Sequence, residues 1–396
     1  MIHSLLTSLP MTVCLFWTVT LMCDIVLSRL HTEPATAVRG WLRPRYYLLL
    51  FLAVTSVLYL GHCVYFNRLT HLMVATDSLY VAANLAVYPL YYLYICALTQ
   101  REDGRRLRFA LLLPALAAGV TVALLYAWMT DGETRLFIEQ YLYHGRHPET
   151  GLAATCQMYV HDACKVLFAV LVAVVLVKGN RSLSRYEHLL NNSYADIENK
   201  SLVSLRHILL AFVVTSAVSF VCNIVGRYRF ADSEWLLSIP SAVFSMLLFV
   251  IGYVGSRTQF NIWHIEQDEQ KNASPVSEPA ADAATGISQL CRDIERLMSE
   301  ERLYLQPNLK IVDLSNRLST NRNYIYQAIN GEMKMSFSEY VNRKRLAYAQ
   351  ALIDKNPGMP LIEVAEMSGF NSGTSFYRNF RLYLNMSPKV YQKRKR

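Results

Sequence analysis

Charge is scarce in this chain. Asp, Glu, Lys and Arg make up 17% of its 396 residues while 53% are apolar, a balance too greasy for an ordinary water-soluble protein. Catalytic signatures are missing as well. There is no nucleophile elbow, phosphate loop, kinase signature or HExxH pair, so the chain is not read as an enzyme and no cofactor is expected. The eight cysteines show no CxxC spacing, which gives no framework for zinc. His144 and His147 form an HxxH pair in a connecting loop, where histidines are usually solvated rather than metal-bound. Acidic residues are the scarcer sign, 30 against 39 Lys and Arg, and the imbalance is local. From Thr285 onward 18 basic residues face 10 acidic ones. Nearly the whole +9 of the chain therefore lies at its C-terminal end, which points to a polyanion partner, nucleic acid or anionic headgroups.

Long apolar sequence is present in abundance. The stretches 5–27, 46–66, 72–98, 109–130, 158–177, 205–226 and 235–254 each reach about 20 residues, enough for a helix to cross roughly 30 Å of hydrocarbon. The first lacks a basic leader and a small-residue cleavage site, so it reads as a retained span. Arg29, Arg39, Arg43 and Arg45 follow the first stretch, Arg101, Arg105, Arg106 and Arg108 the third, and Lys178, Arg181, Arg185 and Lys200 the fifth. The alternate loops hold only Arg68, Arg135, Arg146, Arg227 and Arg229. Positive-inside bias then puts the N-terminus outside and the C-terminus in the cytoplasm, in a cell's inner membrane.

Several polar residues fall near the outer ends of these spans, among them His62, Asp77, His161, Asp162, Lys165, Asn223 and Arg227. Snorkelling at headgroup depth accounts for such positions in general. Ionisable groups within spans, however, usually face a bundle interior or a cavity. Asp77 and Asp162 lie deeper than headgroup contact requires, and His161 and Lys165 are one helical turn apart. Asp77, His161, Asp162 and Lys165 are therefore the candidate signal-sensing residues.

Residues 259–286 read as a flexible linker, acidic and rich in Ala, Ser and Pro from 266 onward, spanning roughly 25 Å over about 20 residues. Beyond it the pattern becomes that of short soluble helices. Leu314 and Leu318 mark one, Ser319 to Asn321 form a turn, and the next helix turns Ile325 and Ile329 inward. Arg322, Asn323, Tyr326 and Gln327 are left facing out, the arrangement of a major-groove reader. A long amphipathic helix follows through Phe337, Tyr340, Val341, Tyr348 and Leu352, and then the pattern repeats with a turn at Ser368 and Gly369.

Arg345 and Leu346 with Ala349, Leu352 and Ile353, then Gly369, Phe370, Phe376, Phe380, and Ser387 and Pro388 with Tyr391, make this run resemble the AraC/XylS type of DNA-binding domain over about a quarter of the chain. Ser315 stands where alanine is usual and Asn385 where glycine is common. The resemblance implies base-reading positions at Arg322, Asn323, Tyr326 and Gln327 in the first unit, and at Gly373, Thr374, Ser375, Tyr377 and Arg378 in the second. Gly373 offers no side chain. Arg381, Lys389 and the basic residues 393–396 are expected on phosphate. The sugar-binding barrel of soluble relatives is absent, so no small-molecule specificity carries over.

The expected fold is all-α: a seven-span transmembrane helix bundle over 1–258, a linker over 259–286, and a cytoplasmic tandem helix-turn-helix domain over 287–396. The expected function is that of a membrane-anchored, sequence-specific transcription regulator, a one-component sensor coupling an outer or intramembrane signal to promoter binding. The alternative is a transporter- or channel-like protein with a protein-interaction module; an inverted repeat would favour it, and none is evident. Double-stranded DNA and the lipid bilayer are the expected partners. RNA polymerase, a small-molecule or protein signal, and a second copy of the chain are further candidates. Dimerisation is not required, because two units in one chain reach successive major grooves about 34 Å apart. The loop charges make a first prediction. Alkaline phosphatase fused to the C-terminus, active only outside the cytoplasm, should be silent, and strong activity from an intact fusion would reverse the orientation.

Overall fold

The computed structural model describes residues 2–30, 35–100, 109–198, 200–225, 234–258, 260–271 and 283–396. Every regular element among them is helical, and one isolated antiparallel bridge joins Tyr194 to Lys310. The chain forms two compact units. One comprises Met1–Ser184 with Leu202–Ile262, the other Arg185–Ser201 with Trp263–Arg396.

In the first unit the helices are α1 (Ile2–Leu30), α2 (Ala35–Phe66), α3 (Thr70–Thr99), α4 (Leu113–Trp128), α5 (Asp131–Leu136), α6 (Leu152–Ser193), α7 (Val203–Val225) and α8 (Glu234–Arg257). Helix α6 ends in the second unit. Among the described residues six helical stretches are long and apolar enough to cross a membrane, and the apolar part of α7, Val203–Ala217, is shorter. The seventh expected stretch thus falls on a helix of 23 residues. Helix α1 packs on α2 and α8, α2 on α3, and α3 on α4. The tyrosines beside Pro89 are core: Tyr88 and Tyr91 pack on Phe212, and Tyr91 also meets Phe51. Leu5, Phe16, Leu116, Leu124, Val166 and Met246 are exposed instead, as suits helices facing an apolar solvent.

The connection 131–157, read from sequence as a loop, is partly folded. A capping box between Thr130 and Glu133 starts α5, leaving two orphan amides satisfied. A π-helical turn, Phe137–Leu142, then buries Phe137, Ile138 and Tyr141.

The second unit contains α9 (Ile262–Lys271), α10 (Ala283–Glu300), a 3-10 turn (Leu303–Leu305), α11 (Ile311–Arg317), α12 (Arg322–Tyr326, continued by a π turn, Gln327–Glu332), α13 (Phe337–Lys355), α14 (Leu361–Met367), α15 (Gly373–Leu384) and α16 (Pro388–Lys395). It has two cores. Ile294, Leu314, Ile325 and Ile329 surround Phe337 and Val341, while Val364, Phe370, Phe376 and Phe380 surround Leu346, Ala349 and Ile353. Helix α13 supplies residues to both and so serves as their common spine.

The linker expectation is corrected at both ends. Residues 262–271 form α9, with Ile262 and Ile265 buried, because two apolar side chains one turn apart give that segment something to bury. Helix α10 already begins at Ala283, and residues 272–282 lie outside the described residues. Nor does the C-terminal module start at 287 alone. Arg185–Ser201 folds with it, and Ala195 is part of its first core.

Arg345 lies between the two cores with no exposed surface. Its Nε donates to the Tyr304 carbonyl at 2.7 Å, one Nη donates to the Gln306 carbonyl at 2.8 Å, and the guanidinium lies 5.7 Å from the centre of the Phe370 ring. Burial pulls its pKa down to about 10, with the Asp196 carboxylate acting the other way, so it stays charged at neutral pH. The turn it faces is equally constrained. Gly369 has φ +80°, and a Cβ there would stand 2.7 Å from the Leu305 carbonyl oxygen, so both backbone angle and space require glycine. Arg345→Leu would take the guanidinium from the Tyr304 and Gln306 carbonyls and should destabilise the unit by about 2–5 kcal/mol. Cys291, packed against the first core, can report this. Its thiol should label at lower urea in Arg345→Leu than in the wild-type chain, and an unchanged midpoint would deny Arg345 that role.

Candidate nucleic-acid interface

Both candidate recognition helices start on side-chain caps. The Asn321 side chain accepts from the Asn323 amide at 2.9 Å, and the Ser372 hydroxyl accepts from the Ser375 amide at 3.0 Å. Such caps satisfy amides that a helix start otherwise leaves orphaned. In the first turn Ser315 makes use of its departure from alanine: its hydroxyl donates to the Thr320 carbonyl at 2.5 Å, where Ser319 takes a positive φ of 47°. At the far end of α15, Asn385 adopts the left-handed conformation that closes the helix.

On α12 the exposed side chains are Asn323, Tyr326 and Gln327, with Arg322 half-buried. These spacings put the exposed three on one face. On α15 Thr374, Tyr377, Arg378 and Arg381 are exposed. With Gly373, Leu382 and Asn385 they line an open groove of about 910 Å³. Leu382 and Asn385 escaped the sequence reading, although they continue the same helical stripe from Arg378. Arg guanidinium groups here can fork onto guanine edges, and the Thr374 hydroxyl can give or take a hydrogen bond. Lys389 is exposed in the first turn of α16.

Ser375 is corrected. It is 3% exposed, because it lies on the flank of α15 that also carries Phe376, Asn379 and Phe380 inward, and Asn379 donates to its carbonyl at 2.9 Å. Its side chain is turned into the module, where Asn379 also reaches its hydroxyl. The basic tail also divides. Lys395 pairs with Asp354 at 3.1 Å and Arg396 donates to the Pro357 carbonyl at 2.9 Å, while Lys393 and Arg394 are exposed.

Residues 314–394 match the family described as helix-turn-helix domain. The C-terminal module is an AraC-type helix-turn-helix domain. Among similar proteins, the Msm operon regulatory protein of Streptococcus mutans is 27% identical over 22% of this chain and 31% of its own length. The probable transcriptional regulator LumQ of Photobacterium leiognathi is 35% identical over 22% and 36%, and the melibiose operon regulatory protein of Escherichia coli 28% over 22% and 28%. The chain spans about a third of the length of these curated relatives. No solved structure matches it.

The four candidate sensing residues of the first unit fall into two joined pairs. Asp77 accepts from the Tyr126 hydroxyl at 2.9 Å and lies 2.9 Å from His161 Nε2, and all three are buried. His161 Nδ1 lies 2.9 Å from the Gln157 carbonyl, which can only accept. With Nδ1 against a carbonyl and Nε2 against a carboxylate, both ring nitrogens have partners, as burial of a polar group requires. Asp162 accepts from Lys165 at 2.7 Å and from the Tyr141 hydroxyl at 2.8 Å, and is 3.1 Å from His147. Phe137 and Tyr141 stack on each other and both meet the His161 ring, so aromatic contact links the two pairs. His144 instead points to its own backbone, 2.5 Å from the Glu139 carbonyl.

The exposure pattern separates reading from support. Arg378→Ala should weaken a selected duplex by about 1–3 kcal/mol with little loss on random sequence. Ser375→Ala should leave base preference unaltered. Binding-site selection with each variant checks this, and an altered preferred site in Ser375→Ala would contradict the inward placement.

Proposed function

We propose that this chain is a membrane-spanning transcription regulator that binds duplex DNA through α12 and α15 and takes its signal through the first unit. The observation that carries the reading is the exposed stripe of Thr374, Tyr377, Arg378 and Arg381 on an AraC-type domain, in a chain with six stretches among the described residues that are long and apolar enough to cross a membrane. Lipid is the natural surrounding of those helices, and the Arg and Lys bias of alternate connecting loops favours a C-terminus on the cytoplasmic side, where DNA is. The similarity to operon regulatory proteins supports promoter DNA as the target, with RNA polymerase and a second copy of the chain as candidate partners.

The signal enters at the linked pairs Asp77–His161 and Asp162–Lys165. A signal acts only by binding two conformations unequally, and a buried hydrogen-bonded pair offers such a two-way choice when a ligand competes for one member. Mapping the DNA bound by the C-terminally tagged chain in cells tests the output, since enrichment at discrete promoters is expected and a flat profile opposes it. Asp77→Asn and Asp162→Asn test the input. Each should alter the response of a reporter driven by a mapped promoter, at unchanged protein level. Wild-type inducibility of both variants would reduce the cluster to packing.

A further inference from the structure

Residues 185–201 lie more than a hundred positions before the helix-turn-helix domain, yet they belong to its compact unit. The contact is made by backbone. The Ala195 amide donates to the Leu309 carbonyl at 2.9 Å, and the Ala195 carbonyl accepts from Ser338 Oγ and Asn342 Nδ2, each at 3.0 Å. Ser338 and Asn342 are themselves buried on α13. Beside them Tyr194 bridges to Lys310, and Asp268 accepts from the Tyr194 hydroxyl at 2.5 Å and from the Lys310 ammonium at 2.9 Å. Both polar groups of one buried alanine are thus matched by the helix-turn-helix module, which fixes this short segment to it.

This anchoring sets the position of two acids. Asp196 accepts from the Asn371 amide at 2.7 Å, and Glu198 accepts from the Ser372 hydroxyl. Asn371 and Ser372 are the turn residue and N-cap of α15, and Thr374 of the reading stripe follows two positions after the cap. A helix start carries partial positive charge and exposes amide donors, so it favours anions. In helix-turn-helix docking the same end of the recognition helix enters the major groove between phosphates. Two carboxylates held there both occupy that field and repel the duplex.

We propose that 194–198 is an internal anionic clamp: Asp196 and Glu198, anchored through the Ala195 backbone, stand at the start of the second recognition helix against DNA phosphate and hold the second reading unit in a weak-binding state. The proposal rests on the DNA-binding reading above. It also assigns a use to the chain path, because the segment leaves α6 at Ser193 and the next helix begins at Val203. Release of the clamp is then the step that a signal in those helices would drive. Asp196 also neighbours the buried Arg345, so Glu198 is the cleaner position to change.

The test uses the full chain in lipid nanodiscs and a mixed-sequence duplex long enough to present two major grooves on one face. Glu198→Gln keeps the size and the hydrogen-bond acceptor and removes the charge. It should bind about threefold or more tightly than wild type at low salt, with the difference shrinking as salt rises. Asn342→Ala, which loosens the anchor without touching an acid or the stripe, should act in the same direction. Cys291 labelling in urea verifies that the unit remains folded in both. Unchanged or weaker binding by folded Glu198→Gln overturns the clamp. Failure of every variant and of wild type to bind duplex overturns the DNA-binding reading and the clamp with it, a pattern distinct from equal, measurable binding by all.

Discussion

A guanidinium with no access to water has to find its partners inside the protein, and Arg345 does so in four directions. It reaches two carbonyls of the 303–306 turn, the face of Phe370 in the second helix-turn-helix turn, and the field of Asp196 in a segment far away in sequence. Removing such a charge leaves the partners stranded, which is why buried ion sites are costly to break even when they add little net stability. The consequence here is geometric. The spine α13, the turn below it and the second helix-turn-helix turn meet at this one side chain, and Gly369 lets that second turn approach the Leu305 backbone closely.

Much of this was legible in sequence for a physical reason: hydrophobic periodicity and cap chemistry are local. The tandem short helices, the inward Ile325 and the outward Asn323, Tyr326 and Gln327 follow from spacing, whereas Phe376, Phe380, Tyr377 and Arg378 were implied by the AraC/XylS resemblance. So does the apolar character of the first unit. Ser375 went astray because a recognition helix of 12 residues has an inner and an outer flank, and the alignment of a small hydroxyl to a reading position does not reveal which flank it takes. The helix α9 was hidden in polar composition, where only Ile262 and Ile265 hinted at a buried side.

The contacts of residues 194–198 were not legible at all. They are made by the backbone of Ala195 and by side chains 74 or more residues away, and neither leaves a period or a motif. The pairing of Asp77 with His161 was similarly long-range. Only the depth of the carboxylates in apolar sequence announced that they needed partners. The first unit's polar cluster and the reader's acidic clamp share this property. Each is a set of polar groups satisfied within the protein, and each can be disturbed by a competitor for one of its members.

On this reading the outward faces of α12 and α15 form a duplex-binding surface in the intact chain. Hydrogen–deuterium exchange of the full-length protein in nanodiscs, with and without a duplex carrying its selected site, addresses that surface directly. Slowed exchange on binding is expected in peptides covering α12 and α15, with the membrane-length helices of the first unit little changed. Unaltered exchange across both recognition helices at saturating duplex, or protection confined to other parts of the chain, would contradict the account.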